Sequence, residues 1–367
     1  MFKHQLTKDS DLFLIQPQHA EDLYRLIDDN REYLSRWVSW PEQYHSAKDV
    51  HAFIRDCLYR FAEDGNPLCG ITYQGGLAGT VDMMDIDWST RTTSIGYWLG
   101  EEFQSKGLVT RAAEILINHG FSCLDMNRIE LTTMPENSRS RSVAERLGFQ
   151  HEGTFCQYTK AQDEFRGREI YGLIKGDRQF NYEPLRFSYS INHDLELRLL
   201  QPYDANALCE LISKNQEHLG PWLAWANGKC SIEGSRSFIK NTIRHIADNT
   251  KLNWGIWYQG KLAGIIATLT VNWKSEKAEV IYWLGAEFQG KGLINSAGRI
   301  MINYLFNNLK LNRIELRIAT VNTRSKKTAD RLGFRHEATL RLAEVVNGKL
   351  VDLDCYALLR SDWEKLD

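Results

Sequence analysis

The sequence has no surplus of either charge, no long apolar run and no paired cysteines, and each lack removes a class of protein. Its formal charge of −2 and pI near 6.6 leave no basic face of the kind that binds nucleic acid. No apolar stretch approaches the ~18 residues that cross a bilayer. The opening "MFKHQLTKDSDLFLIQP" lacks the apolar core of a signal peptide. The seven cysteines include no Cys-x-x-Cys pair, which argues against a zinc ribbon or a disulfide framework. A cytoplasmic, reducing setting is expected, with no metal and neither nucleic acid nor membrane as partner. What is plentiful is aromatic: 11 Trp and 15 Tyr in 367 residues that are 43% hydrophobic, ample for two cores.

Self-comparison shows why two cores are needed. "YWLG" begins at Tyr97 and again at Tyr282, 185 residues on. The same offset links "YQG" at Tyr73 and Tyr258, "LAG" at Leu77 and Leu262, "NRIEL" at Asn127 and Asn312, and "RLGF" at Arg146 and Arg331. A period this long encloses a core of its own, so two equal domains are expected rather than a solenoid. They are placed at 1–180 and 194–367, with a linker at 181–193 where Glu183-Pro184 breaks a helix.

Each half reads as mixed α/β with a mixed sheet. In the second, "LELRLL" alternates like a strand and "YDANALCELISKN" has helical spacing. "SIEGSRSFIKNTIRHIADN" is a second helix, with Ser231 and Glu233 as its opening. Three strands follow, "LNWGIWYQ", "KLAGIIATLTV" and "AEVIYWLG", the first two joined by a tight turn at Gln259-Gly260. Ala297, Ile300, Met301, Tyr304 and Leu305 trace one face of a helix. "RIELRI" is a strand, and "NTRSKKTADRLGF" a short helix with Asn322 as N-cap and Gly333-Phe334 as a Schellman-type end. A hairpin turning at Asn347-Gly348 closes the domain.

Between the "YWLG" strand and the next helix stands "AEFQGKGLI", matched in the first half by "EEFQSKGLV". Such a loop brings backbone N–H groups without intrahelical partners to a helix N-terminus, where the dipole also favours an anion. That is a phosphate site. Gly290 and Gly292 remove side chains that would hold a phosphate away, and Lys291 adds charge. A magnesium-binding P-loop is disfavoured because Gly292 stands where its Ser or Thr belongs, and Ser105 replaces its second glycine in the first copy. The alternative is an ordinary strand-to-helix turn.

"YWLGAEFQGKGLI", "LNRIELRIATVNTRSKKTADRLGF" and "RLAEVVNG" resemble the GNAT superfamily of acetyl-CoA-dependent N-acetyltransferases. The resembled branch is that of the ribosomal-protein N-terminal acetyltransferases, the RimJ/RimL type, and it covers essentially all of each half. The resemblance implies two consecutive GNAT acyl-CoA N-acyltransferase domains. It assigns Gln289, Gly290, Lys291, Gly292, Leu293 and Ile294 to the pyrophosphate of acetyl-CoA. Gln104, Ser105, Lys106, Gly107, Leu108 and Val109 take that place in the first half. Ile294 and Val109 replace the family's last small residue, at little expected cost because the donors are backbone amides.

Acetyl transfer needs a free amine, a stabilised oxyanion and a protonated thiolate. By resemblance Ser325 protonates the sulfur and Asn322 contacts the cofactor, with Ser140 and Asn137 as their first-half matches. Glu344 is the expected base: it shares a strand face with Leu340 and Leu342, where burial would raise a carboxylate's pKa, and it follows the serine at the branch's spacing. An oxyanion donor is expected from the "IYWLG" strand. Trp222 and Trp225, matched by Trp37 and Trp40, are expected beside the acceptor amine, with core packing as the alternative. At the position of Glu344 the first half has Thr159, with Asp163 and Glu164 as weak substitutes. The second half is therefore read as the catalyst and the first as a cofactor cradle, a candidate for catalytic degeneracy. The expected reaction is direct attack of a primary amine, of a protein N-terminus or a small molecule, on acetyl-CoA in a ternary complex. The rivals are a module that binds acetyl-CoA without turnover and a structural pseudo-dimer of the two halves.

Overall fold

The computed structural model describes residues 2–161, 164–177, 184–346 and 348–365; Asp163, Asn347, residues 181–183 of the expected linker and the side chain of Thr159 lie outside what it describes. Internal contacts divide the chain into Met1–Phe187 and Ser188–Asp367, here units 1 and 2. Unit 1 runs β1 (Lys3–Thr7), β2 (Ser10–Leu14), α1 (Ala20–Asp29), α2 (Arg31–Ser35), α3 (Ala47–Asp64), β3 (Cys69–Tyr73), β4 (Gly76–Asp87) and β5 (Thr92–Leu99). It continues through α4 (Leu108–Ser122), β6 (Arg128–Thr133), α5 (Ser138–Arg146), β7 (Gln150–Ala161) and β8 (Glu164–Ile174).

Unit 2 repeats the order: β9 (Ser188–Ser190), β10 (Leu195–Leu199), α6 (Ala205–Lys214), α7 (Gln216–Leu219), α8 (Ile232–Ala247), β11 (Asn253–Tyr258), β12 (Lys261–Asn272) and β13 (Lys277–Leu284). Then come α9 (Leu293–Asn303), β14 (Arg313–Ala319), α10 (Thr323–Arg331), β15 (Arg335–Val346), β16 (Lys349–Leu359) and α11 (Arg360–Trp363). The expected linker contains one strand, β9, whose Tyr189 pairs with Leu197 of β10.

Within unit 1 the strands lie in the order β1-β2-β3-β4-β5-β6-β8-β7, and within unit 2 in the order β9-β10-β11-β12-β13-β14-β16-β15. Neighbours are antiparallel except β5–β6 and β13–β14, the parallel pairs bridged by α4 and α9. Each parallel pairing covers three residues, Thr92–Ser94 on Arg128–Glu130 and Lys277–Glu279 on Arg313–Glu315. Beyond them β5 and β13 keep only their β4 and β12 neighbours, so a wedge opens on the other side.

Local chemistry explains the framework. Gln259 and Gly260, at φ 49° and 74°, make the two-residue turn between β11 and β12. Ser231 caps α8 by accepting the Gly234 N–H at 3.0 Å. At the end of α10 the Phe334 N–H reaches the Ala329 carbonyl at 3.0 Å and the Gly333 N–H reaches Asp330 at 3.1 Å, with Gly333 at φ 86°; this is a Schellman ending. Of the predicted α9 face, Ala297, Met301, Tyr304 and Leu305 are buried and Ile300 is half-buried. Tyr304 packs edge-on against the fully buried Trp254 of β11, ring centres 5.2 Å apart.

The two units differ at a buried charge. Asp82 of β4 has Ala267 as its unit 2 counterpart. Part of Asp82 meets solvent, but its carboxyl oxygen lies 3.2 Å from where a Cβ on Gly96 would stand. Burial pushes this carboxyl up to about 7, against the pull of Arg60 and with Asp85 adding to the rise. An unfolded Asp loses its proton near pH 4, so between about pH 4 and 7 the folded chain holds more protons than the unfolded one. Its contribution to stability therefore falls as pH rises through that window and stays low above it. Asp82→Asn should flatten this slope: urea midpoints of variant and wild type should nearly coincide at pH 4.5, with the variant higher at pH 8.

Candidate active site

Each glycine loop delivers its backbone to a helix N-terminus. In unit 2, Gly290 and Gly292 have φ of 76° and 75°, and Gly292 is the N-cap of α9. A Cβ on either would point into open space, so what glycine supplies here is the left-handed backbone. Ser296 makes the first intrahelical bond, to the Gly292 carbonyl at 3.1 Å, which leaves the N–H groups of Leu293, Ile294 and Asn295 without helical acceptors. Leu293 is buried and anchors the turn, and Ile294 is half-buried. In unit 1, Gly107 (φ 72°) caps α4, and Ser105 adopts φ 61° where Gly290 stands in the repeat. Ser105 thus accepts a left-handed conformation that costs an L-residue about 1 kcal/mol or more. The loop lysines are stacked over tyrosines: Lys291 Nζ is 5.1 Å from the Tyr258 ring and Lys106 Nζ 5.5 Å from the Tyr73 ring.

The glutamines ahead of these glycines are held differently. Gln289 Nε2 contacts His218 Nε2 of α7, whereas Gln104 Oε1 accepts a hydrogen bond from Arg139 of α5.

The second helix N-terminus meets the wedge. Asn322 Oδ1 accepts the Ser325 N–H at 3.1 Å, and Asn137 Oδ1 accepts the Ser140 N–H at 3.1 Å. Sequence reasoning missed the group beneath each serine. The Tyr97 hydroxyl lies 2.9 Å from Ser140 Oγ, and the Tyr282 hydroxyl donates to the Ser325 carbonyl at 3.3 Å. Burial pushes Tyr97 up to about 12 and raises Tyr282 as well, so both stay protonated at neutral pH. Their signal was the repeated "YWLG", which marked the register and was expected to give a backbone oxyanion donor, with no role for its tyrosine hydroxyl.

In unit 1 these parts enclose a cavity of about 510 Å³. Its walls bring together Gln104, Ser105, Gly107, Leu108, Val109 and Asn137 with Tyr97, Ser140 and Trp37. Lys106, over Tyr73, is not among the residues lining it. Arg139, Arg146 and Arg168 also face it, and the described lining residues include no Asp or Glu.

Two expectations need correction. Glu344 is exposed, as are Leu340 and Leu342, not set on a buried strand face. The physical reason is position: β15 ends the strand order of unit 2, and its residues 335–345 are exposed on both faces, Leu340 and Glu344 alike. The strand also carries a bulge, three residues opposite one between the Leu340–Leu353 and Glu344–Val351 pairs, where Leu342 takes φ 48° and its N–H donates to Asp352 at 2.9 Å. Glu344 Oε1 accepts the Val345 N–H at 3.1 Å. Core packing of Trp222 and Trp225 is also excluded, since both are exposed. Trp225 stands edge-on to Trp283 of β13, next to Tyr282, with ring centres 5.9 Å apart. In unit 1, Trp40 and Trp98 stand 5.5 Å apart.

The chain belongs to the GNAT acetyltransferases: the model of the acetyltransferase (GNAT) domain matches residues 12–150 and again 194–335. It is an acyltransferase with two such domains. Among curated proteins it is 38% identical over 179 residues to the "Putative ribosomal N-acetyltransferase YdaF" of Bacillus subtilis (strain 168), covering 48% of this chain and 98% of that protein. It is 25% identical over 170 residues to the ribosomal-protein-serine acetyltransferase of Escherichia coli (strain K12), covering 46% and 95%. To the spermidine N(1)-acetyltransferase of Escherichia coli (strain K12) it is 28% identical over 144 residues, covering 38% and 73%.

The caps give a direct test of how the serines are placed. Asn322→Ala removes the acceptor of the Ser325 N–H, and the loss should be about 1 kcal/mol in urea denaturation. Asn322→Asp keeps an acceptor and should recover most of it. Equal stability of wild type and Asn322→Ala would mean that the cap contributes nothing to this helix.

Proposed function

We propose that the chain moves the acetyl group of acetyl-CoA to a primary amine by direct attack in a ternary complex, with a protein N-terminal α-amine as the favoured acceptor class. The observation that carries the reading is the cavity of unit 1, where a glycine loop at one helix N-terminus and an Asn-capped serine at another face the same space. The loop amides suit the pyrophosphate. The serine hydroxyl gives its proton to the departing sulfur. It is assigned to Ser325 in unit 2, with Ser140 equivalent in unit 1. The names of the relatives from Bacillus subtilis and Escherichia coli support a ribosomal-protein acceptor, and the spermidine enzyme keeps a polyamine in view.

Glu344 remains the proposed base on its spacing in the resembled branch. Exposed as it is, it draws a cationic amine toward the site and takes its proton once the acceptor has covered it and displaced water. The unit 1 cavity, with three arginines and no carboxylate among its described lining residues, favours a second reading for that unit alone: acetyl-CoA binding without turnover.

An amine panel of N-terminal peptides, a lysine peptide and spermidine, with mass detection of the product, tests the acceptor class. Modification of the lysine peptide or spermidine in preference to every α-amine would overturn the choice of acceptor. Ser325→Ala should lower kcat while leaving acetyl-CoA affinity near wild type, because the proton moves only in the transition state. A change below about twofold in turnover would make Ser325 a bystander. Glu344→Gln should lower kcat by about 10²–10⁴-fold at neutral pH, the usual range for a general base. The deficit should shrink as pH rises past the amine's pKa of about 8 and more of it is free. A rise confined to the amine's KM would leave Glu344 with attraction alone.

A further inference from the structure

We infer that Asn30 and Asn215 are positioning residues, each fixing the start of a phosphate loop against the helical segment that carries the acceptor-side tryptophans. The inference rests on the acetyl-CoA reading above. Neither asparagine belongs to a glycine loop or a serine helix, and the same bonds recur in both units. Asn215 is buried at the C-cap of α6. Its Nδ2 donates to the Leu211 carbonyl at 2.9 Å, closing onto its own helix, and its Oδ1 accepts the Ala286 N–H at 2.7 Å. Asn30 donates to the Leu26 carbonyl at 2.9 Å and accepts the Glu101 N–H at 2.8 Å.

Ala286 and Glu101 open the short turns that lead to Gln289 and Gln104, so the tether sits at the first residue of each loop. The approach is close. A Cβ on Gly285 would stand 3.0 Å from Asn215 Nδ2, and one on Gly100 3.1 Å from Asn30 Nδ2.

The backbone of the same residue organises the other wall. The Asn215 carbonyl accepts the N–H groups of His218 and Leu219 at 3.1 and 2.8 Å, starting α7, and the Leu219 carbonyl then accepts Trp222 at 2.9 Å. In unit 1 the Asn30 carbonyl accepts Leu34 at 2.8 Å and the Leu34 carbonyl accepts Trp37 at 2.9 Å. One residue thus sets both the first turn under the acceptor-side aromatics and the approach of the cofactor loop. Alanine or leucine keeps the helix and loses the tether. Asp keeps the loop-facing oxygen, while its second oxygen turns on the helix carbonyl that the amide had bonded.

The test is titration of the full chain with CoA by calorimetry. Wild type should bind two equivalents. Asn215→Leu and Asn30→Leu should each weaken one site by about five- to tenfold and leave the other unchanged, the scale of one lost hydrogen bond. Asn215→Asp should return the weakened site to within about threefold of wild type. In turnover with whichever amine the panel yields, KM for acetyl-CoA should rise in the Leu variant of the active unit while kcat holds within about threefold. A role in folding alone would lower the melting temperature in the Leu and Asp variants alike without separating their CoA affinities, and that result overturns the inference. So do wild-type affinities in both Leu variants. Should Asn215→Leu not fold, the half-buried Asn30 decides through the other site. A wild type that takes up no CoA overturns the cofactor reading, and this inference falls with it.

Discussion

The site in each unit depends on a parallel strand pairing that stops after three residues. Had β5 and β6 stayed paired along their length, the amides from Ile95 to Leu99 would be spent on the ladder and no space would lie between the strands. Because they part, Tyr97, Trp98 and Leu99 face Thr132, Thr133 and Met134 across an opening. The N-termini of α4 and α5 both end on it. Two sets of orphan N–H groups therefore converge on one space, which suits a ligand with an anion at one end and a developing thiolate at the other. Tyr97 crosses the opening and sets its hydroxyl against Ser140. Burial keeps the phenol protonated, so it has a proton to give to Ser140 Oγ; in that orientation the serine's own proton is free to turn toward the cavity.

The repeat made much of this legible. Register at 185 residues, the glycine loops, the Asn caps, the Schellman ending and the Gln259-Gly260 turn all rest on local chemistry, in which a few neighbouring residues decide the backbone. The misses share a different character. Glu344 was assigned an inward face by counting alternate residues, but β15 is an end strand exposed on both faces, and the bulge within it leaves no mark on the sequence pattern either. The same bulge lies in unit 1, where Phe155 pairs with Arg168 and Thr159 with Arg166, and Gln157 at φ 50° stands at the repeat position of Leu342. Two unrelated residues in one left-handed conformation show that the bulge belongs to the hairpin, not to a glycine signal that could be read. Tyr97, Asn30 and their twins were missed because their partners lie 43 and 71 residues away, beyond any local rule.

The two units have diverged most where no shared backbone task constrains them. The helix-capping glycines Gly107 and Gly292, the cap asparagines, and Gly79 and Gly264, where a Cβ would meet the next strand's backbone, are held by geometry. Side chains around the sites vary: Arg168 of unit 1 is replaced by the buried Leu353, and the loop glutamine is held by Arg139 in unit 1 but contacts His218 in unit 2. A cofactor cradle survives such drift because its donors are backbone amides. An acceptor pocket does not.

The exposure of the proposed base bears on which amine is taken. Glu344 is exposed in unit 2, and the described lining of the unit 1 cavity offers arginine instead. Without a strong base the rate follows the fraction of amine already free. With pKa values of about 8 for an α-amine and 10.4 for a lysine or polyamine nitrogen, that fraction differs by a few hundredfold at neutral pH. On the proposed reaction, a site with loop amides, an oriented hydroxyl and aromatic walls but an exposed Glu344 suits an amine that arrives partly deprotonated. On that reading a lysine acceptor needs a base to supply the few-hundredfold difference, which lies within the roughly 10²–10⁴-fold that one general base contributes.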